Sequence, residues 1–413
     1  MKLDKKYYFT EASLFVRTPH FPFTFYIISI LFFSLSSCST ESVDEAFISP
    51  EVPVDEETPE TPETPPDQDN DDSPDTATLY FPPLGSEAWE TLSPESLGWD
   101  LNARDELLDF MEQEQSSAFL LIKDGRIVIE EYWGQNFGGN DTFDSQTVWY
   151  WASAGKGITS FLTGLAQEQG YLSIQDPTSD YLGEGWTSME PDKESLITVE
   201  NQLTMTTGLD YRVQDPFCTD PECLEYRTDA GSQWYYHNAP YTLLDAVISA
   251  ATGTEFETWS ETQLESRIGM EGYWEPFGYN NVYWSTARDA ARFGLLILNE
   301  GNWEEQVIMS DSQYFQQMIS TSQELNPSYG YLWWLNGKEE IKLPGSNNVF
   351  QSSLSPSGPA DMIVAAGLNG QYIDVVPSQN LVVIRLGDSP DGSEVPLELH
   401  DRMWQYISRM TGE

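Results

Sequence analysis

Between residues 41 and 75 the chain carries fourteen acidic side chains, no basic one, and the run ETPETPETPPDQDNDDSPD. Like charges repel along such a segment, and proline supports neither a helix interior nor a central strand. Residues 39–77 are therefore expected to form an extended tether with no core of their own. Any fold has to be built from residues 78–413. DQDNDDSPD lacks the glycine and terminal glutamate of an EF-hand loop, so no calcium site is expected there.

Before the tether, Lys2, Lys5, Lys6 and Arg17 precede an apolar run over residues 21–35. That run is too short to span a bilayer comfortably and matches the apolar region of an export signal. The next residues, Leu35-Ser36-Ser37-Cys38, resemble the lipobox of bacterial lipoproteins, whose cysteine is lipidated and becomes the mature N-terminus. Residues 1–38 are expected to be a signal peptide, with Cys38 the membrane anchor of an exported outer-membrane lipoprotein. Ordinary cleavage beside an incidental cysteine is the alternative. Asp4 and Glu11 make the region before the apolar run long and mixed in charge, as expected if translation starts later. The acidic tether resembles surface-export signals of some Gram-negative lipoproteins, and both a periplasmic and a surface orientation stay open.

The whole chain holds 67 acidic and 19 basic side chains in 413 residues, a formal charge of −48. The tether carries −14 and the leader +2, which leaves −36 on the folded part. A phosphate backbone needs clustered Lys and Arg, so nucleic acid is excluded as a partner. Such a charge fits an exported, salt-tolerant protein. Of three histidines, His20 lies in the leader, leaving His237 and His400. A His-rich metal centre is not expected, and a Ser-His-Asp triad would have to use one of these two. No dinucleotide or P-loop glycine motif is present, and no metal or cofactor is expected.

AFLLI (118–122), Lys123-Asp124-Gly125 and RIVIEEYW (126–133) read as a β-hairpin. DMIVAA (361–366), QYIDVV (371–376) and LVVIRL (381–386) read as a three-stranded meander. Leu399, Met403, Tyr406, Ile407 and Met410 have helical spacing, with His400 expected to face solvent. The middle holds amphipathic helices such as residues 158–170 and 241–253. The pattern is that of an α+β fold, with strands near both ends and helices between. In an exported chain, Cys218 and Cys223 of PFCTDPEC are expected to form a disulfide; free thiols are the alternative, and a zinc pair lacks further ligands.

The chemistry centres on Ser153. There is no G-x-S-x-G elbow; the local sequence is Trp151-Ala152-Ser153-Ala154-Gly155-Lys156, which contains S-x-x-K. If a helix begins at Ser153, Lys156 lies one turn away on the same face. A lysine enclosed by apolar walls loses charge stabilisation and becomes a base, while the helix N-terminus offers N–H groups to an oxyanion. Alone the motif is weak, since 40 serines and eight lysines produce about one by chance. Tyr236-His237-Asn238 adds to it: a tyrosine could relay a proton and an asparagine amide could bridge Lys156 and substrate.

With these motifs the sequence resembles the serine β-lactamase and penicillin-binding-protein superfamily. It is most similar to class C-like hydrolases, including carboxylesterases and 6-aminohexanoate-dimer hydrolases. YFPP (80–83), LTMTTGLDY (203–211), STARDAARFG (285–294), YGYLWWLN (329–336) and GLNGQYIDVVPSQNLVVIRLG (367–387) occur in the expected order. The resemblance implies an antiparallel sheet flanked by helices, with an inserted, mostly helical subdomain. It makes Ser153 the nucleophile, Lys156 the base, Tyr236 the proton relay and Asn238 a positioning group. The oxyanion donors would be the N–H groups of Ser153 and Leu368. Tyr235 is the rival of Tyr236, and the Y-x-N spacing selects the latter. His237 occupies a position that varies in the family; a packed or loop histidine is the plainer reading.

One departure matters. Ala365-Ala366-Gly367 stands where β-lactamases carry Lys-Thr-Gly, so the usual anchor for a β-lactam carboxylate is missing while Gly367 is kept. Hydrolysis of a small ester or amide is expected ahead of a peptidoglycan-directed D-amino-acid peptidase or β-lactamase. A catalytically inactive, tethered binding protein is the remaining alternative. Tryptophans near 149–151, 234 and 333–334 are read as core or pocket wall.

Overall fold

The computed structural model describes residues 79–412; the leader, Cys38 and the tether lie outside the described residues. The expected hairpin forms from β1 (Ser116–Lys123) and β2 (Arg126–Tyr132), with Lys123 facing Arg126 across Asp124-Gly125. Both turn residues take positive φ, 51° and 80°, as a two-residue hairpin turn demands. β3 (Trp334–Leu335), β4 (Ile363–Gly367), β5 (Gln371–Val376) and β6 (Leu381–Gly387) complete an antiparallel sheet ordered β2-β1-β6-β5-β4-β3. β4 starts later than the apolar run suggests. Asp361 leaves the ladder and accepts the Ser378 N–H at 2.7 Å and hydroxyl at 2.9 Å.

Four helices frame the site and sheet: α1 (Leu101–Gln113), α2 (Lys156–Glu168), α3 (Ala287–Leu298) and α4 (Leu397–Thr411). Every residue of β5 and β6 is buried, as a sheet covered on both faces requires. Alternation sends Ile373 to one face and Tyr372 and Asp374 to the other. On the first face Gly294 brings α3 onto the sheet, where a Cβ would lie 2.4 Å from Val382. On the second, Trp404 Nε1 of α4 donates to Asp374 Oδ2 at 2.7 Å. His400 is also here, fully buried with Nε2 2.8 Å from Asp374 Oδ2, and does not face solvent. One helical turn before Trp404, it shares the apolar stripe. Asp374 gives it the polar partner that burial requires.

The insertion between β2 and β3 is mostly helical. It also carries a three-stranded antiparallel sheet of Trp149–Tyr150, Asn280–Ser285 and Gly272–Phe277. α2 is buried continuously from Lys156 to Ala166, so it is a central helix and not an amphipathic surface one. Gly157 and Gly164 allow this, since a Cβ there would lie 2.7 Å from Trp333 and 2.3 Å from Tyr314. The run 241–253 divides at Leu243 into Asn238–Thr242 and Leu244–Thr252. Trp149, Trp151, Trp234, Trp333 and Trp334 are all core residues. Cys218 and Cys223 form a disulfide, S–S 2.03 Å. Among the described residues no helix is long and apolar enough to cross a membrane.

Candidate active site

The strand Trp149–Tyr150 delivers the chain to Trp151, whose Nε1 donates to Ser285 Oγ at 2.9 Å deep in the core. Ala152 comes next with φ 48°, a left-handed conformation that costs a side chain-bearing residue about 1 kcal/mol. Such strain persists only where the surroundings impose it. Ala152–Gly155 then wind as a 3₁₀ turn, and Lys156 opens α2. Ser153 therefore precedes the α-helix and does not begin it. In a 3₁₀ turn residues i and i+3 eclipse, which brings Lys156 Nζ to 2.8 Å from Ser153 Oγ.

Lys156 is 3% exposed, and removal from water pulls its pKa well below the ordinary lysine value. No carboxylate pairs with it among the described residues. Its other electrostatic neighbours are ring faces, Tyr241 at 4.0 Å and Tyr236 at 5.0 Å. Burial favours the neutral amine over the ammonium, and the aromatic faces offer the ammonium an attractive partner when it forms.

Tyr236 is held by aromatic packing, stacked on Trp334 at 5.7 Å and 16° and edge-on to Tyr329. Burial raises its phenol pKa, and its hydrogen bond with Ser153 offsets this only in part. It is a protonated donor beside Ser153. Tyr235 instead stacks on Tyr211, ring centroids 3.4 Å apart. His237 is buried at the N-cap of the Asn238–Thr242 helix, and desolvation lowers its pKa to about 4, so its ring is neutral. Asn238 is half-buried; its carbonyl accepts Thr242 Oγ1 at 3.0 Å, and its amide makes no hydrogen bond to Lys156.

Gly367 ends β4 against the turn that carries Ser153. A Cβ there would lie 2.2 Å from the Trp151 carbonyl oxygen and 3.2 Å from Ala154 N. The glycine thus lets the strand touch the turn itself, before any substrate is considered. β3 pairs with β4 only at Ile363 and Val364, so Ala365, Ala366 and Gly367 have no β3 partner. Both alanines are buried, and neither brings charge to the site. Neither the Ser153 N–H nor the Leu368 N–H meets an acceptor among the described residues. They are the donors expected to receive an oxyanion. No group of three His, Cys, Asp or Glu among the described residues is placed to hold a metal ion.

The family model described as Beta-lactamase matches residues 104–405. The chain belongs to the beta-lactamase family. With that membership it is a serine hydrolase by fold and family. It is 25% identical over 314 residues to an uncharacterized protein of Alkalihalophilus pseudofirmus, covering 67% of this chain and 85% of that one. A beta-lactamase of Escherichia coli K12 is 22% identical over 319 residues, covering 64% and 81%. The crystal structure of a penicillin-binding protein from Bacillus halodurans superposes with a TM-score of 0.53 at 17% identity, covering 74% and 99%.

In this beta-lactamase-family site the sequence motifs do not single out Tyr241, Tyr150 or Asn369. Tyr241 lies one helical turn after Asn238, a spacing that is a usable signal. Asn369 Nδ2 donates to Tyr150 OH at 2.8 Å, tying the tip of the β4–β5 hairpin to the strand that precedes Ser153. That contact joins residues 219 apart, and no local pattern announces it.

Proposed function

We propose that this beta-lactamase-family chain is an exported hydrolase that cleaves small esters or amides through an acyl-enzyme on Ser153. The observation that carries the reading is the 2.8 Å approach of buried, carboxylate-free Lys156 Nζ to Ser153 Oγ. Neutral Lys156 takes the hydroxyl proton as Oγ bonds to the substrate carbonyl carbon, and the C=O electron pair moves onto oxygen. The N–H groups of Ser153 and Leu368 receive that oxyanion. On collapse the bond to the leaving group breaks with its electron pair. The leaving group takes the Tyr236 phenolic proton, and Tyr236 recovers one from the Lys156 ammonium. Water then attacks the acyl-enzyme carbonyl, giving its proton to Lys156; on collapse the bond to Oγ breaks, Ser153 Oγ takes that proton from the Lys156 ammonium, and the acid departs.

The uncharged Ala365-Ala366 favours substrates without a carboxylate over β-lactams, despite the names of the relatives. The test is labelling by a fluorophosphonate together with a rate profile over short acyl p-nitrophenyl esters, linear amides, D-amino-acid peptides and a chromogenic cephalosporin. The reading expects labelling that Ser153→Ala abolishes, and esters or amides turned over fastest. Absence of both labelling and turnover in the wild type sinks it, and cephalosporin rates matching the esters overturn the substrate ranking. We also propose that Cys38 is lipidated and anchors the domain to the outer membrane. Incorporation of labelled palmitate, lost in Cys38→Ala, is the expected result, and no incorporation in the wild type contradicts it.

A further inference from the structure

We infer that Gln371 and Arg385 are positioning residues that aim the Leu368 N–H at the substrate oxygen. The inference rests on the serine-hydrolase reading and extends it to side chains that touch no substrate. Residues 367–370 turn β4 into β5, and nearly every peptide group in the turn is fixed. Gly370 N–H donates to the Gly367 carbonyl at 3.0 Å, and Asn369 N–H to the Glu394 carbonyl at 2.8 Å. Gln371 Nε2 donates to the Leu368 carbonyl at 2.8 Å. Arg385 Nη1 donates to the carbonyls of Asn369, at 2.6 Å, and Gly370, at 2.9 Å. The donor left over is Leu368 N–H. Because a trans peptide points its N–H opposite its C=O, fixing the Gly367 carbonyl fixes where Leu368 N–H points.

Asn369 and Gly370 both take positive φ, 64° and 81°, a conformation these two residue types enter more readily than most. The two clamping side chains are fully buried. Gln371 continues to Gly387, donating to its carbonyl at 2.8 Å and accepting its N–H at 3.0 Å. Arg385 reaches further: Nε donates to Ser116 Oγ at 3.1 Å, and Nη2 to the carbonyls of Glu114, at 3.0 Å, and Asp388, at 2.6 Å. A guanidinium buried with no carboxylate bonded to it is an expensive way to fill a sheet interior. An apolar side chain could occupy the position but could not hold two carbonyls of this turn at once. Gly367 meanwhile presses the same turn against Trp151 and Ala154, so its aim is referred directly to Ser153.

The test compares wild type, Gln371→Met, Arg385→Met and Arg385→Lys. Active sites are counted by fluorophosphonate titration and folding is followed by thermal denaturation. The kcat and KM for p-nitrophenyl acetate and the affinity for a phenylboronic acid, which forms a tetrahedral adduct on serine, are then measured per titrated site. Removing an oxyanion donor outright costs about 100- to 1,000-fold in kcat. Misaiming one is expected to cost about 10- to 100-fold in kcat for Gln371→Met, with KM within about threefold and boronate affinity falling with kcat. Arg385→Lys should lie nearer the wild type than Arg385→Met. If Arg385→Met does not fold, Gln371→Met and Arg385→Lys still decide the matter. Wild-type kcat and boronate affinity per titrated site in Gln371→Met overturn the inference while the hydrolase reading stands. A wild type that neither labels nor turns over overturns both.

Discussion

Lys156 and Arg385 are both cationic side chain types, buried with no carboxylate paired to them, and the protein treats them in opposite ways. Arg385 donates to four carbonyls and one hydroxyl, and although burial lowers its pKa to about 10 it stays charged at neutral pH. Lys156 has one hydroxyl and two ring faces, and its pKa is pulled well below the ordinary value. Full satisfaction of donors makes a buried cation a brace, whereas withholding partners makes a buried amine a base.

The hardest blow to this contrast comes from exchanging the two chemistries. Lys156→Arg keeps a cation that does not surrender its proton, and kcat for a p-nitrophenyl ester is expected to fall about 1,000-fold. Retained activity would mean that the amine is not the base. Next in size is stability. Arg385→Met strands several buried carbonyls and should lower the unfolding free energy by about 3 kcal/mol in urea titrations. Lys156→Met should cost nothing, or stabilise by about 1 kcal/mol. If the two variants exchange behaviour, the distinction between brace and base collapses. In the wild type kcat/KM should rise with pH, because only neutral Lys156 accepts the serine proton. Its plateau should begin well below the ordinary lysine range.

A buried acid offers a smaller effect of the same kind. Desolvation raises Glu265 to about 7, with Ser260 Oγ donating to it at 2.5 Å. The native state holds this proton up to about pH 7 and the unfolded chain releases it near 4.5, so stability falls as pH rises across that window. Glu265→Gln should flatten the thermal midpoint against pH over that range, raising it by a few degrees at about pH 8. An unchanged slope would show that the carboxyl is ionised in the folded protein. The smallest expectation concerns His237, whose neutral, buried ring faces no role in the proposed steps. His237→Gln should change kcat less than about threefold per titrated site, and a larger loss in fully folded protein would return it to the mechanism.

Much of the scaffold is legible because it is local. The hairpin at Asp124-Gly125 and the meander of β4, β5 and β6 come from turn residues and apolar runs. Ser153 and Lys156 lie three residues apart, so any tight helical turn brings them together. What the sequence conceals depends on side chains meeting across the sheet. Arg385 looks like an interruption in LVVIRLG, and only the register opposite Tyr372 places it behind the turn at Leu368. His400 reads as a surface residue of α4 until Asp374, on strand β5, proves to be its partner. The 3₁₀ turn at Ser153 is likewise fixed by Trp151 binding Ser285, a contact 134 residues away in sequence.

If neutral Lys156 activates Ser153 for acyl transfer, the covalent intermediate itself must form on Ser153. Wild type, Ser153→Ala and Lys156→Arg are mixed with a slow p-nitrophenyl ester, quenched in acid and weighed as intact protein before peptide mapping. One added acyl group is expected in the wild type, carried by the peptide containing Ser153, absent from Ser153→Ala and formed far more slowly in Lys156→Arg. Turnover with no adduct, or an adduct mapped to another residue, would contradict it.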